Sequence, residues 1–309
     1  MEQLIQTAII GLSNGLIYAL VALGYTLVYG IIELINFAHG SVFMLGSMLA
    51  LTLFLALGIH GSMPVGVILL AILLVLLVTM TVTATLNVAI ERVAYRPLRH
   101  APKLAPLISA IGMDFVLQNV GLLWKGPANQ SIENIVPPTN VLTTVLGLQT
   151  GLEISYKQLM VAAVTIPLLV ALTWFVTRTR QGKAMRATAQ DPDTSGLMGI
   201  NVNRTIAITF LIGGALAGAA GTVQILFNNT TVWNLGFRFG LNAFTSAVLG
   251  GIGNLPGAVL GGLILGMINA YSDRYLAAQW TNAIVFAVLI GILVFRPTGL
   301  LGQQLAERA

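Results

Sequence analysis

Long apolar runs separated by short polar segments set the pattern of this chain. The runs fall near 4–32, 40–58, 64–90, 104–123, 158–177, 205–227, 241–271 and 281–296. A helix rising 1.5 Å per residue needs about 20 apolar residues to cross a bilayer, so each run is a candidate span. The pattern predicts an all-α, polytopic transmembrane helix bundle of about eight spans, a single domain over 1–309. Two runs are interrupted. The run 241–271 contains Gly250-Gly251-Ile-Gly253-Asn-Leu-Pro256-Gly257, and such a cluster of glycine and proline breaks a helix. It reads either as one long bent span or as two short ones. The first run ends in Glu33-Leu-Ile-Asn36-Phe37-Ala-His39-Gly40. Non-helical backbone at membrane depth is tolerated only where protein or a watery cavity surrounds it. Breaks in both halves therefore point to a pathway between two repeats, the alternative being two unrelated kinks.

Composition agrees with the pattern. Hydrophobic residues make up 56% and charged residues 8%, with a mean hydropathy of +0.88. A soluble domain carries about 25% charged residues, so this chain lacks the polar surface to face water. Its net charge of +5 is no nucleic-acid footprint, because the cations sit in loops. Arg92, Arg96, Arg99 and Lys103 lie in 91–103, and Arg178, Arg180, Lys183, Arg186 and Arg204 in 178–204. Both segments are expected on the cytoplasmic side, and 124–157 on the other. The tail Arg296-Pro-Thr-Gly is expected inside too, which requires 241–271 to cross twice or not at all. With no cysteine, disulfides and thiolate metal sites are excluded. The opening Met-Glu-Gln-Leu has no basic n-region, and the first run is too long for a signal peptide, so it reads as the first span.

Small and polar residues mark the interior. Gly11 and Gly15, Gly214 and Gly218, Gly257 and Gly261, and Gly262 and Gly266 are each four apart, the spacing that lets helices approach closely; packing within the chain is expected over dimerisation. On the first span Asn14, Tyr18, Tyr25 and Tyr29 fall on one face. They can line a pathway that hydrogen-bonds a zwitterion, or serve as interfacial tyrosines and an asparagine satisfied between helices. Asn36 and His39 lie in the break, where a histidine can act as a structural hydrogen bonder or as a proton carrier. Gln118 and Asn119, with Gln224 and Asn228, are expected towards the outer side, where substrate is first met. Asp114 and Glu33 are the acidic groups within or beside apolar runs, few for an ion-driven carrier. No phosphate loop, H-E-x-x-H, G-x-S-x-G or His/Cys cluster is present, so no enzymatic constellation stands behind the chain.

The segment 178–204 is the one elaborate polar stretch. Asp191 before Pro192 reads as an N-cap with proline at the first helical position, and Gly199 as the C′ glycine. A short helix near 192–198 is predicted, preceded by another around 183–189. With small residues at 184, 187, 189, 195 and 196, it can enter a groove on a partner or be a solvated loop that fixes topology.

Ile35-Asn-Phe-Ala-His-Gly40, Glu91-Arg-Val-Ala-Tyr-Arg-Pro97, Ile108-Ser-Ala-Ile-Gly112, Leu197-Met-Gly-Ile-Asn201, Ala247-Val-Leu-Gly-Gly-Ile-Gly253 and Arg296-Pro-Thr-Gly299 occur in this order. From about residue 10 to 300 the chain resembles the H-type permease of branched-chain amino acid ABC transporters. The resemblance implies a type II-like importer permease domain in a bacterial inner membrane, with no cofactor of its own. It implies an M-type second permease, two ATPases that bind ATP and magnesium, and a periplasmic or lipid-anchored binding protein. It also implies that 182–204 holds the coupling helix, with Gly182, Arg186, Ala187, Asp191 and Gly199 matching the family pattern. Ser195-Gly196 departs from an expected Ala-Ser, and Asp114 from an uncharged residue. The family also implies alternatives, permeases for urea, short amides or other amino acids. A gradient-driven carrier working through Asp114 or Glu33 is the reading from another class, with a membrane enzyme behind it.

Overall fold

The computed structural model describes residues 2–99, 101–102, 104–144, 147 and 151–302. Lys103, one of the loop cations above, lies outside them. The helices are α1 (Glu2–Ile32), α2 (Ala38–Ala56), α3 (Val65–Ile90), α4 (Leu104–Lys125), α5 (Val141–Thr144), α6 (Tyr156–Arg178), α7 (Arg180–Gln190), α8 (Pro192–Leu197), α9 (Val202–Asn228), α10 (Leu235–Gly250), α11 (Leu255–Ser272) and α12 (Thr281–Phe295). Among the described residues, eight helical stretches are long and apolar enough to cross a membrane. A two-stranded ribbon, β1 (Gln130–Ser131) with β2 (Thr230–Thr231), ties the segment after α4 to the segment after α9.

Glycine seams set the directions of the helices. Lipid gives helices no hydrophobic reason to associate, so close backbone approach must supply the attraction. A Cβ on Gly11 would lie 2.9 Å from the Met267 Cα, and one on Gly15 2.8 Å from the Leu263 Cα, so α1 and α11 run antiparallel. Gly262 and Gly266 meet the same seam from the other side, at Ala19 and at Gly15. Gly214 and Gly218 of α9 face Ala84 and Thr79 of α3. Gly257 and Gly261 face Gly250 and Ser246 across the α10–α11 turn. All four glycine pairs thus pack inside the chain.

The structure resolves the ambiguous run 241–271 into two helices, α10 and α11, joined as a hairpin. Gly251 and Gly253, at φ 105° and 91°, make the turn, and Asn254 accepts from the Gly257 N–H at 3.0 Å to cap α11. The run is therefore two helices, of which α11 is among the eight long enough to cross and α10 is not, and α10 begins earlier than 241, at Leu235. Its 16 residues span about 24 Å, less than the hydrocarbon core of about 30 Å, so it starts at depth. A second correction concerns 91–103. Read as a loop, it continues α3 through a π turn (Glu91–Tyr95) and a 3-10 turn (Arg96–Leu98). Glu91 is buried there and ion-pairs with Arg99, whose other arm donates to Asn203 at 2.6 Å.

Two breaks meet in the middle of the bundle. After α1, Glu33 adopts φ 53° and the chain doubles back, so that the first turn of α2 lies beside Gly24 and Tyr25, well short of the end of α1. After α9, Asn229 turns at φ 59° and 229–234 leads to the start of α10. Gly40 of α2 packs on Gly236 and Gly240 of α10. The break that mirrors 33–37 is thus 229–234; the glycine cluster at 250–257 is the hairpin turn. The two breaks run in opposite directions, since α1 and α10 run parallel, from Tyr18 beside Phe239 to Tyr25 beside Phe244.

Gly266→Ala places a methyl group on the Gly15 backbone and is expected to cost about 1–3 kcal/mol, as overpacking does. Gly112→Ala, in the interior of α4, points into open space and is expected to stabilise by about 0.5–1 kcal/mol. Thermal unfolding in detergent compares the two; equal midpoints would contradict a seam held by backbone contact.

Candidate functional site

The centre of the bundle is a polar and aromatic cluster built around the first break. Each polar group here needs an internal partner, because lipid supplies none. The Tyr95 hydroxyl, carried in by the π turn, donates to Asn36 Oδ1 at 2.6 Å, and its ring packs on Phe210 at 5.6 Å. His39 is fully buried, edge-on to Tyr25 with centroids 4.9 Å apart, and neither of its ring nitrogens finds a hydrogen-bond partner among the described residues. Gly24 leaves the space for that imidazole, since a Cβ there would run into it. Asp114 of α4 accepts from the Ser41 hydroxyl and from Gln118 Nε2, the latter at 2.7 Å. Its carboxylate is thereby held against the first turn of α2, where the helix dipole favours an anion.

Two turns further along α1 towards its N-terminus, at Tyr18, lies a second cluster. The Tyr18 hydroxyl meets the side-chain amides of Asn242 at 3.2 Å and Asn269 at 3.1 Å, joining α1, α10 and α11. The Tyr18 ring packs on Phe239 at 5.3 Å, which stacks on Phe43 at 5.1 Å.

The structure therefore brings Tyr18, Tyr25, Asn36 and His39 together around the breaks. Asn14 is half-buried one turn from Tyr18 on the same helix. Gln118 joins this centre through Asp114. Asn119 does not: it is exposed beside Phe115 and Val120 and donates to the Phe115 carbonyl at 2.8 Å, because a helix turns neighbouring residues about 100° apart. Gln224 is buried on α9 and accepts from Asn228 at 2.8 Å, within its own helix. Glu33 is exposed at the end of α1. Sequence reasoning missed Tyr95, Asn242 and Asn269. Polarity within an apolar segment was a usable signal for the asparagines, while Tyr95 lay in what read as a loop.

At the basic end, α7 and α8 form the polar segment between α6 and α9. Thr179 caps α7 through the Gly182 N–H at 3.0 Å. Asp191 caps α8, accepting from the N–H groups of Asp193 and Thr194 at 3.0 and 3.1 Å. Gly199, at φ 84°, ends it. Helix boundaries near 192–198 are as the sequence predicts, and the preceding piece extends over Arg180–Gln190. Gly182 is buried, where a Cβ would strike the Phe175 and Val176 carbonyls. Ala187 is half-buried, and Arg186, Asp191 and Gly199 are exposed. The Arg186 guanidinium donates to the Val176 carbonyl, so it closes the C-terminus of α6. The tip of the segment is apolar instead, with Leu197 and Met198 at 88% and 80% exposure.

Helices broken at mid-depth and a capped, protruding helix pair at one end are the parts of a transport permease. The chain belongs to the family of branched-chain amino acid transport system permease components, whose sequence profile matches residues 7–293. It is 42% identical to the high-affinity branched-chain amino acid transport system permease protein BraD of Pseudomonas aeruginosa, over 98% of this chain and 97% of that one. It is 41% identical to the permease protein LivH of the corresponding Escherichia coli system, over 96% and 95%. It is 27% identical to the autoinducer 2 import system permease protein LsrC of Klebsiella pneumoniae, over 66% and 58%. No solved structure matches it.

Tyr95→Phe leaves the buried Asn36 carbonyl without its donor and is expected to destabilise the protein by about 1–3 kcal/mol. Unfolding of the purified variant in denaturant measures this. A change within error would mean that water replaces the hydroxyl.

Proposed function

We propose that this chain is a membrane-spanning permease of an ATP-binding cassette importer for branched-chain amino acids. The observation that carries it is near-full-length identity of 41–42% to two permeases of such systems. The basic end faces the cytoplasm, following the arginines and lysines of α7 and its neighbours. A second, M-type permease completes the pathway; two ATPase subunits binding ATP and magnesium drive it, and a binding protein delivers the amino acid. Tyr18, Tyr25, Asn36 and His39 line the route near the breaks, with Asn14 and Gln118 beside them; nothing in their placement draws in Asn119 or Gln224.

α7 and α8 couple the route to ATP. Gly182 and Arg186 fasten α7 to the end of α6, Ala187 packs inward, and Asp191 and Gly199 shape α8. Leu197 and Met198 enter a groove on an ATPase, as an amphipathic helix tip does. A cavity of about 230 Å³ lies between α7, the end of α1 and the α10–α11 turn, lined by Ile31, Met185 and Gly253 among others. It gives α7 room to move against α1. A gradient-driven carrier gains no support, because Asp114 is hydrogen-bonded in place and Glu33 sits at the surface.

Leucine uptake into proteoliposomes holding the full complex tests the reading. ATP inside is expected to drive accumulation. Leu197→Asp with Met198→Asp is expected to reduce it at least tenfold and to weaken ATPase retention on the permease, since buried contacts of this size are worth roughly 1.5–3 kcal/mol each. Accumulation without any ATPase would overturn it.

A further inference from the structure

Arg238 lies in the second turn of α10, next to Phe239, whose ring packs on Tyr18 in the middle of the 31-residue α1. It therefore sits near mid-height of the bundle, yet it is exposed on the surface of this chain. The ion pair formed among the described residues is Glu91–Arg99, far along the chain at the basic end. A cation at this depth cannot face lipid without a cost of about 2.5–3.5 kcal/mol, so it faces protein or a water-filled path. Asp273 lies one turn beyond Asn269 on α11, exposed, at the start of the π turn Asp273–Ala277, a local distortion frequent at functional sites. Arg238 stands one turn before Asn242 on α10, the Asp273 carboxylate accepts from the Thr281 hydroxyl, and among the described residues the two form no ion pair with each other. The side-chain amides of Asn242 and Asn269 meet at the Tyr18 hydroxyl.

Resting on the permease reading, we propose that Arg238 and Asp273 form the subsite for the zwitterionic head of the amino acid in transit. The guanidinium receives the α-carboxylate and Asp273 the α-ammonium. The amides and the Tyr18 hydroxyl exchange hydrogen bonds with the head as it passes. Phe239 offers the apolar side chain a face. The subsite opens onto the surface of this chain, where a second permease closes it. A guanidinium is the side chain suited to a planar carboxylate and gives no advantage to a neutral cargo, so the subsite selects amino acids over amides of similar size.

The test uses the complete complex in proteoliposomes, with binding protein at saturation, so that delivery is not limiting. Leucine moved per ATP hydrolysed is compared for wild type, Arg238→Gln, Arg238→Lys and Asp273→Asn. Arg238→Gln removes no ion pair formed among the described residues, so the variant is expected to fold. It is expected to reduce leucine per ATP about tenfold with assembly and stimulated ATPase rate intact, as loss of one charge-assisted hydrogen bond does. Arg238→Lys retains most of the transport, and Asp273→Asn falls as Arg238→Gln does. Unchanged leucine per ATP in Arg238→Gln overturns the subsite. So does a complex that comes apart on that substitution, which would make Arg238 a contact with the second permease. If wild type itself shows no ATP-driven uptake, the permease reading fails, and that result is distinct from either.

Discussion

The absence of water in the bilayer core governs this fold. Every backbone group there must find a partner within the protein, so a helix can stop at depth only where other backbone crowds around the stop. Gly40, Gly236 and Gly240 provide that crowding. With no side chains between them, the first turns of α2 and α10 lie in contact, and each break is sealed by the other helix. Seams of the same kind then fix α11 on α1 and α9 on α3. The bundle is held by close backbone approach, while most of its bulky apolar side chains on α3, α4, α6 and α12 look outward.

A fold built this way separates rigid from movable parts. The α1–α11 seam has no play, because a single added carbon meets main chain. The contact between α1 and α7 is looser, with a cavity between them and Arg186 tying α7 to α6. Met185 of α7 nonetheless packs in the same core as Leu27, Val28 and Ile31 of α1, so α7 touches both helices. The π turn at the end of α3 adds a second link, since Arg99 joins Glu91 to Asn203 at the start of α9.

Much of this was legible in the sequence, and the exceptions share a cause. Span positions, the glycine seams, the first break and the caps of α8 follow from local signals of length, spacing and residue type. The second break did not. Asn228-Asn-Thr-Thr-Val-Trp-Asn234 reads as an ordinary polar connection, and only the packing of Gly236 on Gly40 shows that it dips into the bundle. Arg186 matched a coupling pattern, yet its guanidinium serves a carbonyl ten residues back. Asn119 illustrates the same limit, because polarity gives its helix but not its face. Partners distant in sequence, such as Tyr95 with Asn36 or Tyr18 with Asn269, leave no mark in either local stretch.

The order of synthesis gives the α1–α11 seam a further meaning. α1 is synthesised well before α11, and the glycine face that seats it belongs to α11, about 250 residues later. The last turn of α10 waits longer still, for the N–H groups of Leu300 and Leu301 that close the carbonyls of Leu249 and Gly250. Until then its end stands open, and the Gly11 and Gly15 face of α1 lacks the α11 backbone that covers it. The α1–α11 seam thus closes late in synthesis, and a chain cut short before α11 keeps the packing of α1 on α9 and α10 but leaves the glycine face of α1 uncovered.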